Sequence, residues 1–151
     1  MITYHERADV FTFPSGARGH GVNCRGVGGG LAATVFQKLP EMASIYRYAC
    51  KDGLEPGDMV PYEADDGTYW YNLATQREPG PDAKVEWIVE SLNKAVDHAT
   101  AKGVATLTIP CIGAGIGGLN WGDVRAALYE EFMDSTFHIQ GVTRGRFSEY
   151  E

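Results

Sequence analysis

Apolar positions along this chain follow two periods in turn. Short alternating or continuous apolar runs give way to stretches whose apolar residues stand three or four apart, which predicts strands alternating with helices. Ile2 to His5 and Val10 to Phe13 read as short strands, with Pro14, Ser15 and Gly16 as a turn behind them. A third strand leads to His20-Gly21-Val22-Asn23, and Gly26, Gly28, Gly29 and Gly30 follow at once. Leu31, Val35 and Phe36 then stand at helical spacing, so this segment is a strand, a glycine loop and a helix.

A second helix is expected from about Glu41 to Lys51, stopped by Gly53, where the missing Cβ permits a left-handed residue. Asp58 to Ala64 and Thr68 to Thr75 flank Asp65-Asp66-Gly67 and read as a β-hairpin, because an Asp-Gly pair tolerates positive φ. The clearest helix runs from about Asp82 to Lys102: Val85, Ile88, Leu92, Ala95, Val96 and Ala99 trace one face, Asp82 is placed to cap it, and Gly103 ends it. Val104 to Ile109 is a largely apolar, β-branched-rich run suited to a strand covered on both faces, so helices are expected on both sides of the sheet. A second glycine loop, Pro110 to Leu119, opens into a helix capped by Asn120 with Val124, Leu128 and Phe132 facing inward. Thr136 to Val142 closes the chain as a last strand. The order implies an α/β layered fold, and the hairpin makes its sheet mixed.

Composition narrows this picture without redirecting it. The 151 residues suit one domain, residues 1–151, and the tract from Glu78 to Pro81 is too short to separate two. A formal net charge of −7 disfavours broad attraction to nucleic acid or anionic membrane, which needs a basic footprint. Cys24, Cys50 and Cys111 are an odd set without CxxC spacing, and with four histidines they make neither a disulfide framework nor a zinc pattern. No metal or cofactor is expected. The N-terminus lacks the apolar core of a signal peptide, and no run approaches the ~20 apolar residues of a membrane span. A cytoplasmic monomer with no membrane partner is the expectation.

Both glycine loops join a strand's C-terminal end to a helix N-terminus, where unpaired amides and the positive end of the helix dipole favour an anion. Glycine there lets the backbone itself approach an oxygen ligand. Either cluster alone also serves a tight turn, but two in equivalent places suit a diphosphate. The first loop, GVGGG, lacks the GxGxxG of a Rossmann fold, and no glycine is followed by Lys and then Ser or Thr as a Walker loop requires.

Four segments in order, ITYxxxxDVF, GHGVNCRGVGGGLA, YxYNLATQ and IPCIGAGIGGLNWxDV, resemble the macrodomain family, and in particular the branch of terminal ADP-ribose glycohydrolases and antitoxin macrodomains that oppose DNA ADP-ribosylation. The resemblance covers nearly the whole chain and implies a three-layer α/β/α macrodomain-like fold. It implies that Asp9 accepts a hydrogen bond from the adenine amino group, that the Val10 amide reads the neighbouring ring nitrogen, and that Asn23 faces the distal ribose. Gly28, Gly29, Gly30 and Leu31, with Gly113, Ala114, Gly115, Ile116, Gly117 and Gly118, would hold the diphosphate and distal ribose through backbone amides. Thr75 and Cys111 border the same site. Asn23 equally suits an Asx turn, and Asp9 a turn before a strand. His20 is placed to act as a general base or to pack in its strand; Trp121 reads as core; Glu130-Glu131 reads as a solvated helix face.

Relatives of the glycohydrolase branch attack the anomeric carbon with a lysine just after the YxxxxT strand. Here Gln76 occupies that place, followed by Arg77, and Gly117 stands where the branch can carry an aspartate. Two functions therefore stay open. One is hydrolysis of an ADP-ribosyl bond on protein, nucleic acid or a small molecule, with Asn23 and Gln76 as the candidate catalytic groups. The other is a non-catalytic module that reads or sequesters ADP-ribose-derived ligands. A different α/β domain with purely structural loops is the third possibility.

Overall fold

A computed structural model of the chain describes residues 1–150; Glu151, the last residue of the expected domain, lies outside the described residues. Strands β1 (Ile2–His5), β2 (Ala17–Val22), β3 (Met59–Glu63), β4 (Tyr69–Ala74), β5 (Thr106–Ile109) and β6 (His138–Val142) form one sheet in the order β1-β6-β5-β2-β4-β3. All neighbours pair in parallel except β3 and β4, which are antiparallel, so the mixed sheet arises from the hairpin at one edge. At its turn Gly67 has φ +86°, and the Thr68 amide donates to Asp66 Oδ1 at 2.9 Å.

Helices α1 (Leu31–Lys38), α2 (Pro40–Lys51), α3 (Val85–Ala101) and α4 (Trp121–Phe132) cover both faces. Alternation within the strands decides what each face buries. Tyr71 and Leu73 of β4 join Ala17, Leu107, Ile109 and Ile139 in a core closed by Ile88 and Leu92 of α3 and by Trp121, Val124 and Leu128 of α4. Trp70, just before Tyr71 in sequence, points the other way with Val22 and packs under Val35 and Phe36 of α1 and Met42 and Tyr46 of α2. The result is the α/β/α layering expected. Trp121 is fully buried, stacked on Phe147 at 5.9 Å between ring centroids, and Glu130 and Glu131 are exposed.

Local rules hold at most helix ends. Gly53 and Gly103 take φ +100° and +75° behind α2 and α3, and Asn120 Oδ1 accepts from the Asp123 amide at 3.2 Å to cap α4. Two expectations fail. Val10 to Phe13 is a turn: Asp9 accepts the Phe11 amide with its side chain and the Thr12 and Phe13 amides with its carbonyl, which curls the segment out of any ladder. Asp82 does not cap α3, which begins at Val85 behind an extended Lys84; its carboxylate instead takes the Arg77 and Glu78 amides, each at 2.9 Å. Strands β5 and β6 are also shorter at their starts than expected. Among the described residues no helix is long and apolar enough to cross a membrane.

Candidate functional site

Parallel neighbours β2 and β5 end at the same edge of the sheet, so the two glycine loops that follow them stand side by side. Between them lies a cleft of about 320 Å³. Gly29, Gly30 and Leu31 border it from the first loop, Cys111, Gly113 and residues 115–117 from the second, and Thr75 and Gln76 from the end of β4. Gly28, Ala114 and Gly118 sit within the loops but outside this lining.

The cleft's backbone is unusually free. Among the described residues, the amides of Gly28, Gly29 and Gly30 and those of Gly113, Gly115, Ile116 and Gly117 donate no hydrogen bond within the protein. Buried or half-buried amides are normally paired, which makes the open donors of Gly28, Gly113 and Gly117 unusual; Gly29, Gly30, Gly115 and Ile116 are exposed, so their amides face solvent and are open to an acceptor from outside. Gly117 shows why glycine is needed there: an added Cβ would stand 2.7 Å from the Gly113 carbonyl oxygen and 2.8 Å from Ala83 Cβ. The space a side chain would need at Gly117 is therefore filled by the Gly113 backbone and Ala83.

At the far end of the cleft, polar side chains are occupied in holding loops. Asn23 Oδ1 accepts the Arg25 amide at 2.9 Å and the Tyr46 hydroxyl at 3.0 Å, while its Nδ2 donates to the Val27 carbonyl at 2.8 Å. It lines the cleft, and it also makes the Asx turn that shapes the first loop. Gln76 donates from Nε2 to the carbonyls of Glu78 and Gly80 at 2.7 and 2.8 Å, which ties the segment leading to α3. Outside the cleft, Arg25 pairs with Glu78 and Arg77 with Glu55, all about half exposed.

His20 sits at the cleft's base, but its ring is buried edge-on against Phe36 and Trp70. Its β-ladder partner is Asn72, whose Nδ2 donates to the Val60 carbonyl, so Asn72 Oδ1 is left to accept from His20 Nε2 at 2.7 Å. Nδ1 is buried without a partner. Desolvation drives the imidazole pKa down to about 4, and the ring is a packed neutral histidine whose Nε2 is engaged by Asn72. Burial likewise pushes the Cys24 and Cys111 thiols up to about 12, which leaves them poor nucleophiles.

Asp9 and Val10 lie beyond the cleft lining. Asp9 Oδ1 accepts the Phe11 amide at 2.8 Å and Oδ2 the Arg144 guanidinium at 2.8 Å; both lower its pKa, the backbone bond more. The Val10 amide donates no hydrogen bond among the described residues, so an open N–H stands next to an ionised carboxylate. That pair offers one donor and one acceptor side by side. Tyr150, from the short 3-10 helix Phe147–Tyr150, also lines the cleft. Neither Tyr150 nor Arg144 shows a local sequence signal, because only the chain's return past β6 brings them to this end.

A macro domain family model matches residues 20–128. The DNA ADP-ribosyl glycohydrolase of Mycobacterium tuberculosis is 31% identical over 138 residues; the match covers 88% of this chain but 39% of that protein, so the chain spans about two fifths of that relative. Human ADP-ribose glycohydrolase OARD1 is 29% identical over 145 residues, covering 94% of this chain and 91% of that one. Among solved structures, the macrodomain of Mycobacterium tuberculosis DarG superposes with a TM-score of 0.81 at 29% identity over 94% of this chain and 96% of its own. Thermosipho africanus DarTG in complex with ADP-ribose does so at 0.77 and 26% over 89% of this chain and 39% of its own. The family model spans more than half of the sequence and the folds superpose, and the chain belongs to the macro domain family.

Proposed function

We propose that this chain binds ADP-ribose or a terminal ADP-ribosyl group, with the diphosphate between the two glycine loops. The observation that carries this reading is the set of unpaired amides on both sides of one cleft. Asp9 and the Val10 amide provide the adenine end, Asn23 and Gln76 the distal-ribose end, and the relative solved with ADP-ribose supports the ligand class. Asp9→Ala is expected to weaken ADP-ribose binding by roughly 1–3 kcal/mol, because a buried amino group loses a charged acceptor. Arg144→Ala is the control, since it removes the neighbouring ion pair and spares the carboxylate. Calorimetry on protein shown folded by circular dichroism reads both; an unchanged affinity in Asp9→Ala would assign adenine recognition elsewhere.

The same geometry favours holding over cleaving. Among the described residues, those lining the cleft carry three titratable side chains, those of His20, Cys111 and Tyr150, and neither a lysine nor a carboxylate is among them. Gln76 spends its amide hydrogens on two carbonyls, and an amide is a poor nucleophile. The function the site supports best is therefore a module that reads or sequesters ADP-ribosyl groups. Any turnover depends on water oriented by Asn23 or by loop amides. Borohydride trapping during incubation with ADP-ribosylated protein or DNA is expected to leave every lysine unmodified by mass spectrometry. A lysine adduct that disappears when that lysine is replaced would restore the covalent glycohydrolase reading.

A further inference from the structure

We propose that the open sheet edge at β1 receives an extended, acidic segment of another protein, which adds as a further strand and sets a carboxylate against Arg125. β1 ends the sheet, and only β6 pairs with it. In a parallel pair, successive residues of an edge strand turn their backbone groups alternately toward the neighbour and away from it. The Met1 and His5 carbonyls accept the Ile139 and Thr143 amides, so the odd positions face β6. The N–H and C=O groups of Ile2 and Tyr4 therefore point outward, and among the described residues no other strand meets them.

The two edges of the sheet are built differently. β3, at the opposite edge, carries Pro61, which has no N–H to offer, and Glu63, whose charge resists pairing. β1 reads Ile-Thr-Tyr-His and has neither device. Beside it, Ile2 and Tyr4 also line a shallow groove against α4, together with Gly122, Arg125, Ala126 and the exposed Tyr129. Side chains of an added strand alternate between the two faces, so every second one falls over this groove and meets apolar and aromatic surface.

Arg125 selects the occupant. It is the one charged residue in the groove, with its guanidinium 4.1 Å from the centroid of the Tyr4 ring, and among the described residues it makes no salt bridge. An Asp or Glu on the incoming strand can take it in a bidentate pair. A second copy of this chain fits poorly. Two-fold antiparallel pairing of β1 with itself draws the two Tyr4 rings together, and with them two guanidiniums of like charge.

Random heptapeptides displayed on phage, panned against the whole chain, supply the probe. The enriched sequences are expected to alternate apolar with polar residues and to hold Asp or Glu at one fixed position. Fluorescence anisotropy with a synthetic consensus peptide is then expected to show a loss of affinity of roughly tenfold or more in Arg125→Glu, a change at an exposed position that should leave the fold intact. Hydrogen exchange locates the contact: with peptide at saturation, the Tyr4 amide is expected to exchange roughly tenfold more slowly, while the Thr3 and His5 amides, which face β6, change little. No enrichment, a consensus without a carboxylate, equal affinity for Arg125→Glu, or an unprotected Tyr4 amide each overturns the proposal. Sedimentation of the free protein is expected to show a monomer; a dimer whose formation protects the Tyr4 amide would seat a second copy on this edge and overturn it as well.

Discussion

Gly115→Val is expected to weaken ADP-ribose binding at least 100-fold, about 2.7 kcal/mol on the affinity scale, while the protein stays folded. Gly115 borders the cleft in the second loop, its amide is open, and a Cβ added there meets nothing within 4 Å. Its φ is not among the positive values, so a branched residue costs no backbone strain. The free protein therefore accommodates the side chain, and the ligand does not, because the new methyl groups fill space beside amides that the phosphates need. This separates Gly115 from its neighbours. At Gly113 a Cβ would meet Ile88 at 2.7 Å with φ +78°, and at Gly117 it would meet backbone, so loss of binding in those variants would report on a damaged loop. Calorimetry alongside a thermal unfolding scan reads the difference. Retained affinity in a folded Gly115→Val protein would mean that the second loop does not touch the diphosphate.

Acid should destabilise this fold through His20. Its folded pKa of about 4 lies below the ordinary 6.5, so between these values the unfolded chain takes up a proton that the buried ring refuses. Stability attributable to His20 is thus intact above pH 6.5, falls as pH drops toward 4, and changes little below that. At 1.36 kcal/mol per unit the loss is at most about 3 kcal/mol. Other groups also titrate in acid, Asp9 among them, so the comparison must cancel them. His20→Gln keeps a donor for Asn72 and does not titrate. Urea unfolding at pH 7.5 and 4.5 is expected to show a loss larger by about 2–3 kcal/mol in the wild type than in His20→Gln. Equal losses in the two proteins would mean that the ring is solvated or charged in the folded state.

Periodicity was informative wherever packing and local propensity agree. The hairpin around Asp65-Asp66-Gly67, the face of α3 and the Asn120 cap were all legible, because each follows from one-dimensional spacing. The misreadings lie where a side chain overrides spacing. Asp9 draws three amides to itself and bends an apolar segment that otherwise reads as a strand, and Asp82 serves the loop before α3 in place of the helix. The two glycine loops were legible as a pair, yet their nearness depends on β2 and β5 being neighbours, which no local pattern encodes. Asn23 and Gln76 were read as groups facing the ligand. Their bonds to Val27, Glu78 and Gly80 show that they also build the walls of the cleft. Tyr150 and Arg144 are tertiary facts without a sequence signal.

The central claim is that two loops together hold a diphosphate that connects an adenosine end to a ribose end. Calorimetric titration with ADP-ribose and, separately, with AMP addresses it most directly, because AMP offers the adenine site and one phosphate only. ADP-ribose is expected to bind in the low-micromolar range or tighter, about −7 to −9 kcal/mol, with AMP at least tenfold weaker. Equal affinities for the two ligands, or no heat with ADP-ribose, would contradict the claim.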